Sequence, residues 1–153
     1  MPITVTAPRG ALTSVGEREV LPRLTADLAR ISGLSDNPRF VEIIGGTVHV
    51  LDPENVYAGG ANRPVVMVEL KLPNIGLGSI EARAAFIAAA TETVSALTAP
   101  GHRREDIWVN ILNAPDGAWG LAGHAYTGEA LVEALTAGGQ LQDDRGMTSS
   151  VIE

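Results

Sequence analysis

The sequence has no cysteine, few aromatic residues and little charge. The absence of cysteine excludes disulfide bridges, thiolate metal ligands and cysteine nucleophiles. Charged residues make up 19% of the chain, below the roughly 25% of an average soluble domain, so part of the surface is expected to be buried against other subunits. The formal net charge of -7 argues against a nucleic-acid partner, because proteins that bind nucleic acid usually carry a basic patch.

Long apolar runs are also missing. No stretch approaches the roughly 18 residues of a membrane span, and the opening MPITV lacks the basic and apolar segments of a signal peptide. We therefore expect no membrane partner and a cytoplasmic location. The three histidines lie far apart in the sequence, which predicts no metal site, and no motif predicts a bound cofactor.

The first half of the chain predicts a strand, a helix and a second strand. Ser14 and Glu17 have the spacing of a helix capping box. Pro22 conflicts with that start, so the helix is expected to begin near Arg18 or to bend at the proline. The other elements are expected as strands at 3–7 and 40–44, a further candidate strand at 47–51 and a loop at 52–63.

The second half repeats this order, with Pro64 before its first strand as Pro2 stands before that of the first half. Its elements are expected as a strand from Pro64 to Pro73, a helix capped by Ser79, a strand at 107–112, a glycine-rich segment at 114–123 and a short helix at 127–137. We predict one domain at 1–137, with repeat units at about 2–63 and 64–137, and a poorly ordered polar tail at 138–153.

Two β-α-β units predict an α+β fold, in which a four-stranded sheet carries both helices on one face. The opposite face is then uncovered and is expected to be buried by oligomerisation. Phe40, Glu42, Trp108 and Asn110 are expected on that face, with Val41, Ile43, Val109 and Ile111 towards the helices.

Pro2 is the residue whose position indicates chemistry. A small second residue allows the initiator methionine to be removed, which would leave a prolyl secondary amine at the start of the chain. An ordinary α-amino group has a pKa of about 7.7–8.0, and burial in an apolar pocket lowers it. A neutral amine near working pH is a competent general base. Met-Pro is also a common chance start, so position 2 alone leaves both interpretations open.

The order of these elements, with Pro2 in place, resembles the tautomerase superfamily over about residues 2–135. The short motifs that carry the likeness are APRGA at 7–11, DIWVN at 106–110, GAWGLAG at 117–123 and the stretch 119–131. The resemblance implies a symmetric trimer with an active site around each Pro2. It also implies that Trp108 and Asn110 reach a neighbouring subunit's pocket and that Trp119 forms an apolar wall beside the amine.

The sequence departs from the family at the arginines that would bind a substrate carboxylate. The turn at 73–78, PNIGLG, contains no cation. Arg9 and Arg39, with Arg63 in addition, are the remaining candidates for substrate binding, since guanidinium pairs well with carboxylate. Glu42 is either a paired structural carboxylate, which we favour, or a second acid–base group.

The resemblance implies an enzyme, specifically an isomerase. In this interpretation Pro2 is the general base for keto–enol proton transfer on a small α-keto or enol acid, without cofactor or metal. Two alternatives stay open. One is a decarboxylase or hydratase of a small unsaturated or keto acid at the same proline. The other is a non-catalytic trimeric ligand-binding protein of the same fold.

Overall fold

Four long strands form one mixed sheet, and two long helices cover one of its faces. The computed structural model describes residues 1–137, so the expected tail at 138–153 lies outside the described residues. The strands in chain order are β1 (Ile3–Pro8), β2 (Gly46–Leu51), β3 (Tyr57–Ala58), β4 (Ala61–Asn62), β5 (Val66–Leu72), β6 (Ile107–Asn113), β7 (Trp119–Leu121) and β8 (His124–Tyr126). The helices are α1 (Ser14–Ile31), α2 (Pro38–Glu42), α3 (Ile80–Leu97) and α4 (Gly128–Thr136).

The sheet order β2-β1-β5-β6 confirms the α+β fold built from two β-α-β units. The outer pairs are parallel, whereas β1 and β5 at the centre are antiparallel, with Val5 opposite Val68. The buried positions Ile3 and Val5 correspond to Val66 and Val68 in the second unit. Pro2 therefore matches Val65 rather than Pro64, one residue away from the correspondence that the two prolines suggested.

The core lies between the sheet and the two long helices. Side chains at alternate strand positions are buried because a strand points successive residues to opposite faces. The fully buried residues that pack together here include Ile3, Val5, Val66, Val68 and Leu70 from the sheet, Val20, Leu24 and Leu28 from α1, and Phe86, Ala90 and Val94 from α3. This arrangement confirms both helices on one face.

The outward side of helix α3 carries large apolar side chains. Ile80 is 78% exposed and Ile87 is 40% exposed, while Phe86 is fully buried. The helix is apolar around most of its circumference, so the spacing of its apolar residues does not select one face.

Helix α1 begins at Ser14, and the expected late start near Arg18 is wrong. Thr13 caps the helix, since its hydroxyl accepts a hydrogen bond from the Gly16 amide at 2.9 Å. Pro22 lies within the helix and removes a donor for the carbonyl of Arg18. Both residues are exposed, so that carbonyl can bond to water and the helix continues.

The strand expected at 40–44 is wrong, because α2 occupies this segment and the second strand is β2. Asn37 accepts a hydrogen bond from the Phe40 amide at 3.1 Å, and Pro38 follows it at the first helical position. These two residues favour a helix start, which outweighs the short apolar run. Phe40 is consequently buried in the core and Glu42 is exposed on α2, so neither lies on the open sheet face.

The open face carries Trp108 and Asn110, as expected, while Val109 and Ile111 of the same strand pack towards the core. Trp108 is 39% exposed and Leu112 is 48% exposed.

The chain also forms two hairpins: β3 pairs with β4 inside the expected loop at 52–63, and β7 pairs with β8 after the glycine-rich segment has begun. Within residues 1–137 no helix has both the length and the apolar character that a bilayer crossing needs.

The close approach of α1 to α3 predicts that Gly16→Ala lowers the free energy of unfolding by about 1–3 kcal/mol, although alanine is normally the better helix former. A Cβ at Gly16 would collide with the carbonyl oxygen of Leu97. Chemical denaturation at a fixed protein concentration measures the change. Gly45→Ala is the matched control, because a Cβ at that position meets nothing within 4 Å. Equal losses in the two variants would contradict the helix contact.

Candidate functional site

A cleft of about 300 Å³ lies beside Pro2, at the end of the sheet where β1 begins and β5 and β6 end. The Lys71 amide donates a hydrogen bond to the Pro2 carbonyl at 3.0 Å, so Pro2 sits directly opposite Lys71. Lys71 in turn pairs with Leu112. Because directly paired residues share a sheet face, these three side chains form a row along one wall of the cleft.

Trp119 forms another part of the cleft wall. It begins β7. The centroid of its ring lies 5.7 Å from the ring centroid of Tyr126 across the hairpin, and the two ring planes meet at 59°. Trp119 also packs against the core. The hairpin therefore holds a large apolar surface in the same cleft as Pro2, where the sequence resemblance expects it.

Lys71 is the functional candidate that the sequence interpretation missed. It is the only lysine in the sequence, and it is the one cationic side chain among the described residues that line the Pro2 cleft. Its ammonium group can hold a carboxylate as a point charge. A single lysine among ten arginines could have indicated this residue in the sequence. The sequence-based candidates for carboxylate binding included arginines only.

The start of the chain is buried. Met1 is 5% exposed, and its amino group donates a hydrogen bond to the Ile43 carbonyl at 2.5 Å. Loss of hydration lowers the pKa of this amino group from 8.0 to about 6, because burial penalises the charged form. The Met1 amino group is therefore largely neutral at pH 7.

The Met1 side chain lies in an apolar chamber of about 320 Å³ between α1, α4 and the turn after β5. No charged side chain lines this chamber in the described part of the chain; Phe40, Leu72, Leu77 and Leu131 are among the residues that do. Leu72 lines both the chamber and the Pro2 cleft, so the two spaces adjoin at the start of β1.

Asn113 fixes the turn that separates these spaces. Its side-chain amide donates to the carbonyls of Pro73 at 2.9 Å and Gly76 at 2.7 Å. The Ala114 amide adds a bond of 2.8 Å to the Leu72 carbonyl. Arg83 Nε adds a bond of 3.0 Å to the Leu77 carbonyl, so four hydrogen bonds give the turn after β5 a defined shape.

The other predicted site residues lie elsewhere in the chain. Arg9 lies at the opposite end of β1, roughly 20 Å from Pro2 by strand geometry, and forms an exposed ion pair of 3.4 Å with Asp52. Arg39 donates a hydrogen bond of 3.3 Å to the Ala134 carbonyl and so links α2 to α4. Trp108 and Asn110 lie on the open face, four and two residues before Leu112 along β6.

The titratable side chains do not gather into a metal site: residues 1–137 contain no group of three or more histidine, aspartate or glutamate side chains that could hold an ion. His49 bonds to the Thr47 hydroxyl at 2.9 Å on the exposed strand β2. The described lining of the Pro2 cleft adds to Pro2 the Lys71 side chain, the polar Asn113 and apolar residues that include Leu112 and Trp119.

No protein-family model and no curated protein matches this chain. Solved structures do share its fold. Pt0534 inactivated by 2-oxo-3-pentynoate is 21% identical with a TM-score of 0.69, and the match covers 86% of this chain and 98% of that one. The symmetric trimer of fused 4-OT is 20% identical with a TM-score of 0.69 and the same coverage, 86% and 98%.

A third solved structure is FG41 malonate semialdehyde decarboxylase inhibited by 3-bromopropiolate. It is 16% identical with a TM-score of 0.63, and the match covers 93% of this chain and 100% of that one. These proteins are members of the tautomerase superfamily, and this chain has their fold. The resemblance drawn from the sequence is thus confirmed for the architecture. The neighbours themselves carry out different reactions, so the architecture leaves the reaction open.

The buried chain start predicts that the amino group of the Met1-bearing protein titrates near pH 6. It should be protonated below that pH and neutral above it. An unfolded chain has an amine pKa near 8, so the folded protein binds fewer protons between pH 6 and 8. Its stability should therefore rise over that window.

Acylation followed by mass spectrometry measures this titration, with Lys71 as the internal reference amine. The N-terminal site should become reactive with a midpoint near pH 6. A midpoint near 8, together with a flat stability profile from pH 6 to 8, would contradict the burial of the amine.

Proposed function

We propose that this protein is an isomerase of the tautomerase type. After removal of Met1, the Pro2 nitrogen acts as general base for keto–enol proton transfer on a small α-keto or enol acid. The observation that carries the proposal is the position of Pro2 in a cleft with Trp119 and Lys71, next to the buried Met1 amino group, whose pKa burial lowers to about 6. General bases work best when their pKa lies near the working pH.

Removal of Met1 brings the Pro2 nitrogen to the boundary between the cleft and the apolar chamber. The space that the methionine side chain fills then becomes available to substrate. The Lys71 side chain lies on the same sheet face as Pro2, and a like charge close to an amine lowers the pKa of that amine. A neutral Pro2 nitrogen at pH 7 is part of this proposal.

The Pro2 cleft and the apolar chamber accommodate different parts of the substrate. The Lys71 ammonium binds the carboxylate, and the chamber takes an apolar substituent, because its described lining is uncharged. Trp119 closes the apolar side of the cleft. These features favour an aryl or branched alkyl α-keto acid over a dicarboxylate, whose second charge would lose hydration in the chamber without a partner.

The proton path needs only Pro2 and the substrate. The neutral nitrogen removes the proton of the enol hydroxyl while a carbon–oxygen double bond forms. The resulting prolinium returns that proton to the adjacent carbon. The sum is one proton moved from oxygen to carbon, with no net oxidation and no water consumed, so no cofactor or metal is required.

We further propose a homotrimer. The open sheet face exposes Trp108 and Leu112, apolar side chains that an oligomer would bury. Solved fused 4-OT structures with this fold are trimers. In such an assembly Trp108 and Asn110 of one protomer would border the Pro2 cleft of its neighbour, which would supply a hydrogen-bond donor and a further apolar wall.

Decarboxylation at the same proline is the second candidate, because Lys71 supplies a cation where the turn after β5 has none. That reaction would use a protonated proline, whereas a general base must be neutral, and the lowered pKa of the neighbouring Met1 amino group supports the neutral form. Proton transfer is accordingly the better match. A non-catalytic ligand-binding role would show a reactive proline amine without turnover of any α-keto acid.

Pro2→Ala should lower kcat/KM for enolisation of an aryl α-keto acid such as phenylpyruvate by about 10²- to 10⁴-fold, the usual contribution of a general base. Retention of Met1 should have a comparable effect, because it blocks the nitrogen. Ultraviolet absorbance of the enol measures the rate, and intact mass reports the state of Met1.

Pro22→Ala is the control for this experiment, since Pro22 is exposed on α1 and does not line the cleft. It should leave the rate unchanged. An undiminished rate in Pro2→Ala protein with Met1 removed would overturn the role of the proline.

Lys71→Gln should raise KM for the α-keto acid by about tenfold or more and leave kcat for a neutral ester of the same acid unchanged. Lys71→Arg should restore much of the binding because it restores the charge. Steady-state kinetics with the acid and the ester measures both effects. Equal losses for acid and ester would show that Lys71 does not bind the carboxylate.

A further inference from the structure

A second cavity, of about 440 Å³, lies at the opposite end of the central strand pair from Pro2. β1 ends there, and the segment that leads into β5 begins there. Two charged side chains line it among the described residues, Arg9 and Arg63, and both are guanidinium groups. Two cations on one cavity stand out in a protein whose formal net charge is -7.

The internal repeat explains why a cavity occurs at this place. The two β-α-β units are related about the Val5–Val68 pair, so each end of the strand pair presents the start of one unit and the end of the other. The hairpin of β3 and β4 takes the place here that the hairpin of β7 and β8 takes beside Pro2. The second cavity is thus the counterpart of the Pro2 cleft, but the chain at Pro64 is continuous and has no free amine.

An ion pair with a buried carboxylate positions Arg63. Its guanidinium forms an ion pair of 2.5 Å with Asp106, which is 3% exposed. The contact is too poorly aligned to count as a hydrogen bond. Guanidinium carries five donors in a planar fork, so one carboxylate leaves part of the group free towards the cavity.

Two further observations fit a polar occupant. The Nε2 atom of His102, a residue that lines the cavity, is buried without a hydrogen-bond partner in the protein. Buried polar atoms are normally satisfied by protein, water or ligand. Arg9 is held only by its exposed pair with Asp52 at 3.4 Å, and exposed pairs of this kind contribute little. Arg9 can therefore turn to a bound anion at small cost.

We propose that this cavity binds a small oxyanion, a carboxylate or a phosphate, between Arg9 and Arg63, as a site separate from the Pro2 cleft. Guanidinium groups bind both classes bidentately. Arg9 and Arg63 then serve this second site rather than the carboxylate of the Pro2 substrate. The two ends of one strand pair hold a catalytic pocket and an anion pocket, respectively.

Calorimetric titration tests the proposal, with inorganic phosphate and malonate used separately at low ionic strength. All titrations use the Lys71→Gln variant, which removes the cation of the Pro2 cleft. Saturable binding of at least one anion is expected in this background, and the tighter of the two identifies the class. Adding Arg9→Gln should weaken that binding about tenfold, the usual scale of one charge-assisted contact.

Arg63→Lys tests the second cation without leaving Asp106 as an unpaired buried charge, and it should weaken the binding several-fold because the planar fork is lost. Arg23→Gln is the matched control, since it removes one exposed charge from α1. It should leave the binding unchanged. The proposal is overturned if Arg23→Gln weakens binding as much as Arg9→Gln, or if neither anion binds once Lys71 is replaced.

Discussion

The antiparallel pairing of β1 with β5 is the contact on which the rest of the molecule depends. It joins the two parallel strand pairs into one sheet and places Val5 against Val68 at the centre. Because the strands run in opposite directions, the start of each lies beside the end of the other. Pro2 thereby meets Lys71, and Arg9 meets the segment of Arg63 that leads into β5. Both clefts are consequences of this one register.

Burial of the start of β1 changes the chemical environment at one end of this strand pair. The helices bury the inner face of the sheet, and the turn after β5 and α4 extend the apolar cover beyond the start of β1. The Met1 amino group at that point loses hydration, so its charged form is penalised and its pKa is lowered. The other end of the strand pair has the guanidinium groups of Arg9 and Arg63 instead, which suit anion binding. The same backbone plan thus supports two different environments.

The sequence predicted the repeat, the sheet and the main helices because their apolar residues recur with clear periods. It failed at residues 40–44, where Asn37 and Pro38 start a helix that the apolar run conceals. It also located Trp119 but overlooked Lys71. The reason is that Lys71 follows Leu70 and precedes Leu72 in an ordinary alternating strand, and its role depends on which residue of another strand it faces.

Hydrophobic period and local turn residues encode the α+β class and the duplicated unit, and the place of Pro2 before the first strand is visible along the chain. The packed fold sets three further features: Lys71 lies opposite Pro2, Arg9 and Arg63 share a cavity, and Met1 is buried. These features depend on strand register and desolvation, which arise from contacts between residues distant in sequence. The hydrophobic period of one strand does not specify which residues of a neighbouring strand it faces.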